Sequence, residues 1–128
     1  MPGVRETIEM LIAANYTLAV ASSSSMQLIR AALETFGLIE DFSVLHSAEV
    51  EAEGKPHPAV YLSVMSLLDV EPNNCIAFED SAPGVRAAKG AGAWVIAVPD
   101  PADISNPAFA DADVVLSSLT KFSMSCVL

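Results

Sequence analysis

The sequence predicts an α/β fold, a three-layer sandwich in which helices cover both faces of a mostly parallel sheet. Two observations carry this. Short apolar, partly β-branched runs alternate along the chain with segments of helical period, which is the order of a parallel α/β fold. Apolar residues make up 52% of the chain and charged residues only 17%, and strands buried on both faces produce that bias. A surface meant to be covered by something else would produce it too. At 128 residues the chain reads as one domain, 1–128.

Val4, Ile8, Leu11 and Ile12 fall on one face of a first helix. Thr17 to Ala21 is a short apolar run and reads as a strand. Ser25 to Phe36 is helical, with Leu28, Ile29, Ala32, Leu33 and Phe36 on one side, and Gly37 supplies a left-handed cap that ends it. Phe42 to Leu45 is a weak second strand. Pro58 to Leu68 is a helix opened by proline, with Val60, Tyr61, Val64, Leu67 and Leu68 facing inward. Cys75 to Phe78 is a third strand, and Pro83 to Lys89 begins a helix that stops near Gly92. Trp94 to Val98 and Val114 to Leu116 complete the strands, and Ser117 is placed to cap a last short helix.

Several function classes are disfavoured. The net charge of −10 is wrong for a nucleic-acid partner, which needs a basic face. No apolar run approaches the ~20 residues of a membrane span. Met1-Pro2-Gly3, followed by Arg5 and Glu6, lacks the apolar stretch of a signal peptide. Cys75 and Cys126 have no metal-type spacing and are expected to be reduced thiols in a cytoplasmic protein.

In a parallel sheet, chemistry belongs at the carboxyl ends of the strands, and three polar clusters fall there. The first is Ser22-Ser23-Ser24-Ser25, after the first strand. A hydroxyl at a strand end before a helix N-terminus suits an anion; plain capping by Ser24 or Ser25 explains the same residues. The second is Gly54-Lys55-Pro56-His57-Pro58. Two prolines restrict the loop that presents Lys55, a point charge fit for phosphate, although a solvent-facing lysine has the same look. His57 is read as an ordinary loop residue. The third is Glu79-Asp80-Ser81-Ala82-Pro83-Gly84, directly after a strand. Its paired carboxylates are hard oxygen ligands of the kind Mg²⁺ takes, or an acidic cap on the next helix. Side chains alternate at a strand end, so the pair meets one point only if the backbone turns there.

Taken in order, Ala-Ser-Ser-Ser, Lys-Pro-His-Pro and Phe-Glu-Asp-Ser-Ala-Pro-Gly-Val-Arg-Ala-Ala resemble the later three motifs of the haloacid dehalogenase-like superfamily. The likeness is greatest to its β-phosphoglucomutase and sugar-phosphate phosphatase branch, and it covers nearly the whole chain. The resemblance implies a Rossmann-like core and a Mg²⁺-dependent phosphatase acting through an aspartyl-phosphate. It implies that Ser22 holds a phosphate oxygen with help from the Ser23 amide. Lys55 would steady the phosphoryl group and the nucleophile, and Asp80, with Glu79 directly or through water, would hold Mg²⁺. The substrate it implies is a small phosphorylated metabolite, a sugar phosphate first and a nucleotide-type phosphate second, and a phosphomutase remains open.

One departure stands out. The family begins with a strand ending in Asp-x-Asp, which carries the nucleophile, followed by an inserted cap domain. No Asp-x-Asp follows an apolar strand here, and Asp111-Ala112-Asp113 precedes its strand instead. The core is therefore expected to lack the first strand and the cap, and the 128-residue chain to have negligible activity alone. The absent strand belongs between Thr17–Ala21 and Cys75–Phe78. Those strands could close up and pair directly, take a strand from a partner or a second copy through the exposed sheet edge, or leave loose packing. A non-catalytic phosphate-binding or assembly protein is the alternative reading.

Overall fold

The computed structural model describes residues 1–127 and is α/β. Its order is α1 (Val4–Ala13), β1 (Ala19–Ser22), α2 (Met26–Thr35), β2 (Val44–Ser47), α3 (Ala59–Leu68), β3 (Ile76–Glu79), α4 (Ala82–Ala91), β4 (Trp94–Ala97) and β5 (Val114–Val115), joined in part by 3₁₀ turns. Every strand pairing is parallel. Ala21 lies opposite His46 and Ser22 opposite Ser47. Glu79 lies opposite Ala97, and Ile96 opposite Val114.

Local chemistry sets the element ends. The Ser25 hydroxyl caps α2 by accepting from the Leu28 amide at 3.2 Å. Ser81 caps α4 through the Gly84 amide at 3.1 Å. Gly92 ends α4 at φ 94°, a left-handed position where an added Cβ would lie 2.9 Å from Pro72 Cβ. The final helix is a correction. It is a single 3₁₀ turn, Leu119–Lys121, capped by Ser118 through the Thr120 amide, with no cap from Ser117. Phe122 follows at once in extended backbone, buried and edge-on to Phe78 at 5.2 Å, and a second 3₁₀ turn, Met124–Cys126, comes after it.

The core has two layers. On one face Met65 of α3 and Val85, Ala88 and Ala91 of α4 pack against Ala77, Val95 and Ala97. On the other, Leu11 of α1 packs with Ile96, Val98 and Phe122. Val95, Ile96 and Ala97 are wholly buried, which accounts for the unbroken apolar run of β4. Several side chains expected inward are exposed: Ile12, Leu28, Phe36 and Leu67, and Ala32. Helical period marks an apolar face but not how much of it a neighbour covers. The main contacts of α2 are with β2 and the turn at Ile39–Asp41, so Ile29 alone of its residues is fully buried. In α3 nearly every residue is apolar, so period does not select a face, and Met65 is buried where Leu67 was expected.

β1 pairs with β2, and β3 with β4 and β5, as two separate sheets. β1 and β3 therefore do not close up on each other. A cavity of about 520 Å³ lies between them. Its walls are β1, β3, Val4, Ile8 and Leu11 of α1, and Tyr61, Val64 and Met65 of α3. Side chains of α1 and α3 thus line the gap between the two sheets. The facing edges of both strands thus carry backbone groups without a strand partner. Among the described residues, no helix is long and apolar enough to cross a membrane.

Candidate active site

The carboxyl ends of β1 and β3 lie on one edge of the molecule, and Lys55 spans the gap between them. Its ammonium donates to the Ala21 carbonyl at 3.2 Å and to Glu79 Oε1 at 2.5 Å. The two charged side chains are 11% and 6% exposed. Removing one member of so buried a pair typically costs about 3–5 kcal/mol, because a charge is left without its partner. Lys55 is thus no solvent-facing loop lysine. The loop around it is otherwise open: His57 is exposed, 3.5 Å from Glu53.

Ser22 ends β1, half-buried, and its hydroxyl accepts from the Ser24 amide at 3.1 Å. Ser23 is exposed. Ser47, opposite Ser22, is buried and donates to the Ser24 carbonyl at 2.5 Å. The serine turn is therefore fixed by both strands. The start of α2 is also held from outside, because Glu49 Oε1 accepts from the Met26 amide at 2.9 Å, a placement that the helix dipole favours.

Glu79 and Asp80 point to different surroundings, as strand alternation requires. Glu79 is buried with Ala77, on the face covered by α4. Asp80 is exposed at the strand end. Glu79 lies against the first turn of α4 so closely that a Cβ on Gly84 would be 1.9 Å from its Oε2. The expected acidic pair therefore splits into one carboxylate tied to Lys55 and one open to solvent. Among the described residues there is no group of three or more His, Cys, Asp and Glu side chains that would hold a metal. The donor set instead fits a hard, hydrated divalent cation, which takes one or two carboxylates and completes its shell with water and phosphate.

Tyr61 belongs to the site although its sequence position marks it only as an inward residue of α3. Its hydroxyl donates to Glu79 Oε1, and its ring lies 5.2 Å from the Lys55 ammonium. Burial above all, and then the charge of Glu79, push the phenol far above its ordinary range, so it stays a donor. A second cluster braces the Lys55 loop: Glu51 Oε2 accepts from Ser63 at 2.6 Å and lies 2.8 Å from His46 Nε2. Neither is legible from spacing, since each joins residues from separate elements. Asp113, ahead of β5, accepts from the Val95 amide at 2.8 Å and pairs with Lys89 at 3.0 Å, a strand-fixing role.

The parallel α/β core thus carries a lysine, a serine turn and two carboxylates on one strand-end edge. Sequence comparison fixes the family: the haloacid dehalogenase-like hydrolase pattern matches residues 1–92, and the chain belongs to that family. It is 40% identical over 123 residues to hexitol phosphatase B of Escherichia coli K12, covering 96% of this chain and 55% of the relative. Solved structures of CbbY from Rhodobacter sphaeroides, in complex with xylulose-(1,5)bisphosphate and with phosphate, superpose with TM-scores of 0.86 at 36% identity. Each superposition covers 94% of this chain and 54% of CbbY. The chain thus spans about half the length of the relatives it matches.

Proposed function

We propose that the chain forms the core of a Mg²⁺-dependent phosphatase acting on a phosphorylated sugar or sugar alcohol. The observation that carries this is the buried Lys55 ammonium, set between the carboxyl ends of β1 and β3 by Ala21 and Glu79. The names of the relatives, a hexitol phosphatase and a protein solved with a phosphorylated sugar, support the substrate class. A nucleotide-type phosphate ranks second, and a phosphomutase of the same branch is the alternative reaction.

In this reading Ser22 and the Ser23 amide hold one phosphate oxygen, and Lys55 neutralises another. Asp80, with Glu79, would hold Mg²⁺, which supplies positive charge to the phosphoryl oxygens when bound. Catalysis of this kind is mostly positioning and charge neutralisation. The attacking carboxylate must stand beside Lys55, and the slot between β1 and β3 is where a strand that carries it fits. The unpaired edges there also favour a second reading, strand addition from another copy; it fails if the chain stays monomeric at high concentration.

The test is Mg²⁺-dependent phosphate release from hexitol phosphates and sugar phosphates by the protein purified from its natural source. Release that is lost in Asp80→Ala and Lys55→Ala supports the proposal. No release across the panel, or equal release by the variants, sinks it. The 128-residue chain by itself is expected to release negligible phosphate.

A further inference from the structure

The Lys55 loop is fastened by one side chain that takes no part in phosphate chemistry. Glu51 opens the loop, and its Oε2 receives the Ser63 hydroxyl of α3 at 2.6 Å and meets His46 Nε2 of β2 at 2.8 Å. Both members of the His46–Glu51 pair are 16% exposed, so the brace is partly shielded from water. Between this brace and Lys55, residues Ala52, Glu53 and Gly54 are all exposed. Among the described residues no side-chain hydrogen bond or ion pair ties that stretch to the core; Glu53 lies 3.5 Å from the exposed His57, within the loop itself.

Register gives the brace its direction. His46 lies opposite Ala21 across the β1–β2 ladder, and the Ala21 carbonyl is the acceptor on which the Lys55 ammonium rests. The group that anchors the loop and the group that receives its lysine are thus neighbours on paired strands. Fixing the loop entrance to β2 and α3 fixes the point from which Lys55 reaches across. We propose that Glu51 is a positioning residue for Lys55, acting through the His46–Glu51–Ser63 brace. The inference rests on the phosphatase reading for its purpose but not for its geometry.

The lysines of the chain are Lys55, Lys89 and Lys121, so amine acetylation with acetic anhydride, read by mass spectrometry, carries its own controls. In the folded wild type Lys55 reacts more slowly than the exposed Lys121. The brace predicts that Glu51→Ala raises the Lys55 rate on the order of ten-fold, the scale of one charge-assisted hydrogen bond lost, with Lys89 and Lys121 unchanged. Glu51→Gln, which keeps an acceptor for Ser63, falls between. An unchanged Lys55 rate overturns the proposal, and so does a rise shared by all three lysines, which marks general loosening. Should Glu51→Ala fail to fold, Ser63→Ala removes one donor to the brace and is read by the same ratio. Inorganic phosphate with Mg²⁺ is then added to the wild type. If Lys55 gains no protection, the phosphate reading fails while the positioning result stands.

Discussion

Gly84 is the position where one added carbon tests the site's architecture. A Cβ there would meet Glu79 Oε2 at 1.9 Å and Cδ at 2.3 Å, against 3.4 Å or more in ordinary contact. Oε2 must therefore retreat by about 1.5 Å, the difference between 3.4 and 1.9 Å, and Oε1, at 2.8 Å, by about 0.6 Å. Oε1 carries the bonds to Lys55, now at 2.5 Å, and to Tyr61, so the shift strains both. Separating a buried pair outright costs about 3–5 kcal/mol, and alanine returns about 1 kcal/mol of helix propensity. Gly84→Ala should thus lose stability, by up to roughly 2–4 kcal/mol if the pair parts. At roughly 4 °C per kcal/mol for a chain of this length, the Tm then falls by up to about 8–16 °C. Urea unfolding and a thermal melt followed by far-UV circular dichroism give both numbers. Gly90→Ala is the control, because its Cβ meets nothing closer than Pro58 Cβ at 3.5 Å, and it should be neutral or stabilising by up to about 1 kcal/mol. A Gly84→Ala protein as stable as the wild type would refute the packing of Glu79 on α4.

Further expectations follow from the same contacts. Tyr61→Phe removes a buried donor to a carboxylate and should cost about 1.5–3 kcal/mol in urea unfolding, with the fold retained in the circular dichroism spectrum. Ile29→Ala should cost about 2–4 kcal/mol, whereas Leu28→Ser, one residue away but exposed, should stay within about 0.5 kcal/mol. Hydrogen bonds from Ser63 and His46 hold Glu51 below its ordinary 4.5. Burial pushes Asp113 up, but the Val95 amide and Lys89 outweigh it and hold the group below its ordinary 3.8. Both folded values are depressed, so the stability they contribute is full above those ordinary values and is lost as pH falls through the folded ones. These two groups should therefore lower the urea midpoint below about pH 4, and Asp113→Asn should flatten that slope; an unchanged slope would count against the Asp113 contacts.

What the sequence makes legible here is what depends on neighbours in the chain. The Ser25 cap and the left-handed Gly37 and Gly92 lie within a turn of the helices they bound. The strand-end clusters are likewise local, and Lys55 reaches Ala21, the residue before Ser22, and Glu79. What depends on distant partners is not legible. Glu49 reaches the start of α2 across 23 residues, and Tyr61 meets Glu79 across 18. Ser117 and Ser118 are the same residue type, so sequence alone does not separate them as caps; the structure uses Ser118, with Phe122 buried four residues on. Alternation does foretell that Glu79 and Asp80 part company, but only the packing of α4 tells which of them is buried.

The most direct test of the site is a titration of the isotopically labelled 128-residue chain with inorganic phosphate and Mg²⁺, followed through its backbone amides. A phosphate site at the joint ends of β1 and β3 predicts saturable shifts at Ser22, Ser23, Lys55 and Asp80, with Gly92 at the opposite end unmoved. No saturable shift, or shifts centred away from Lys55, would contradict it.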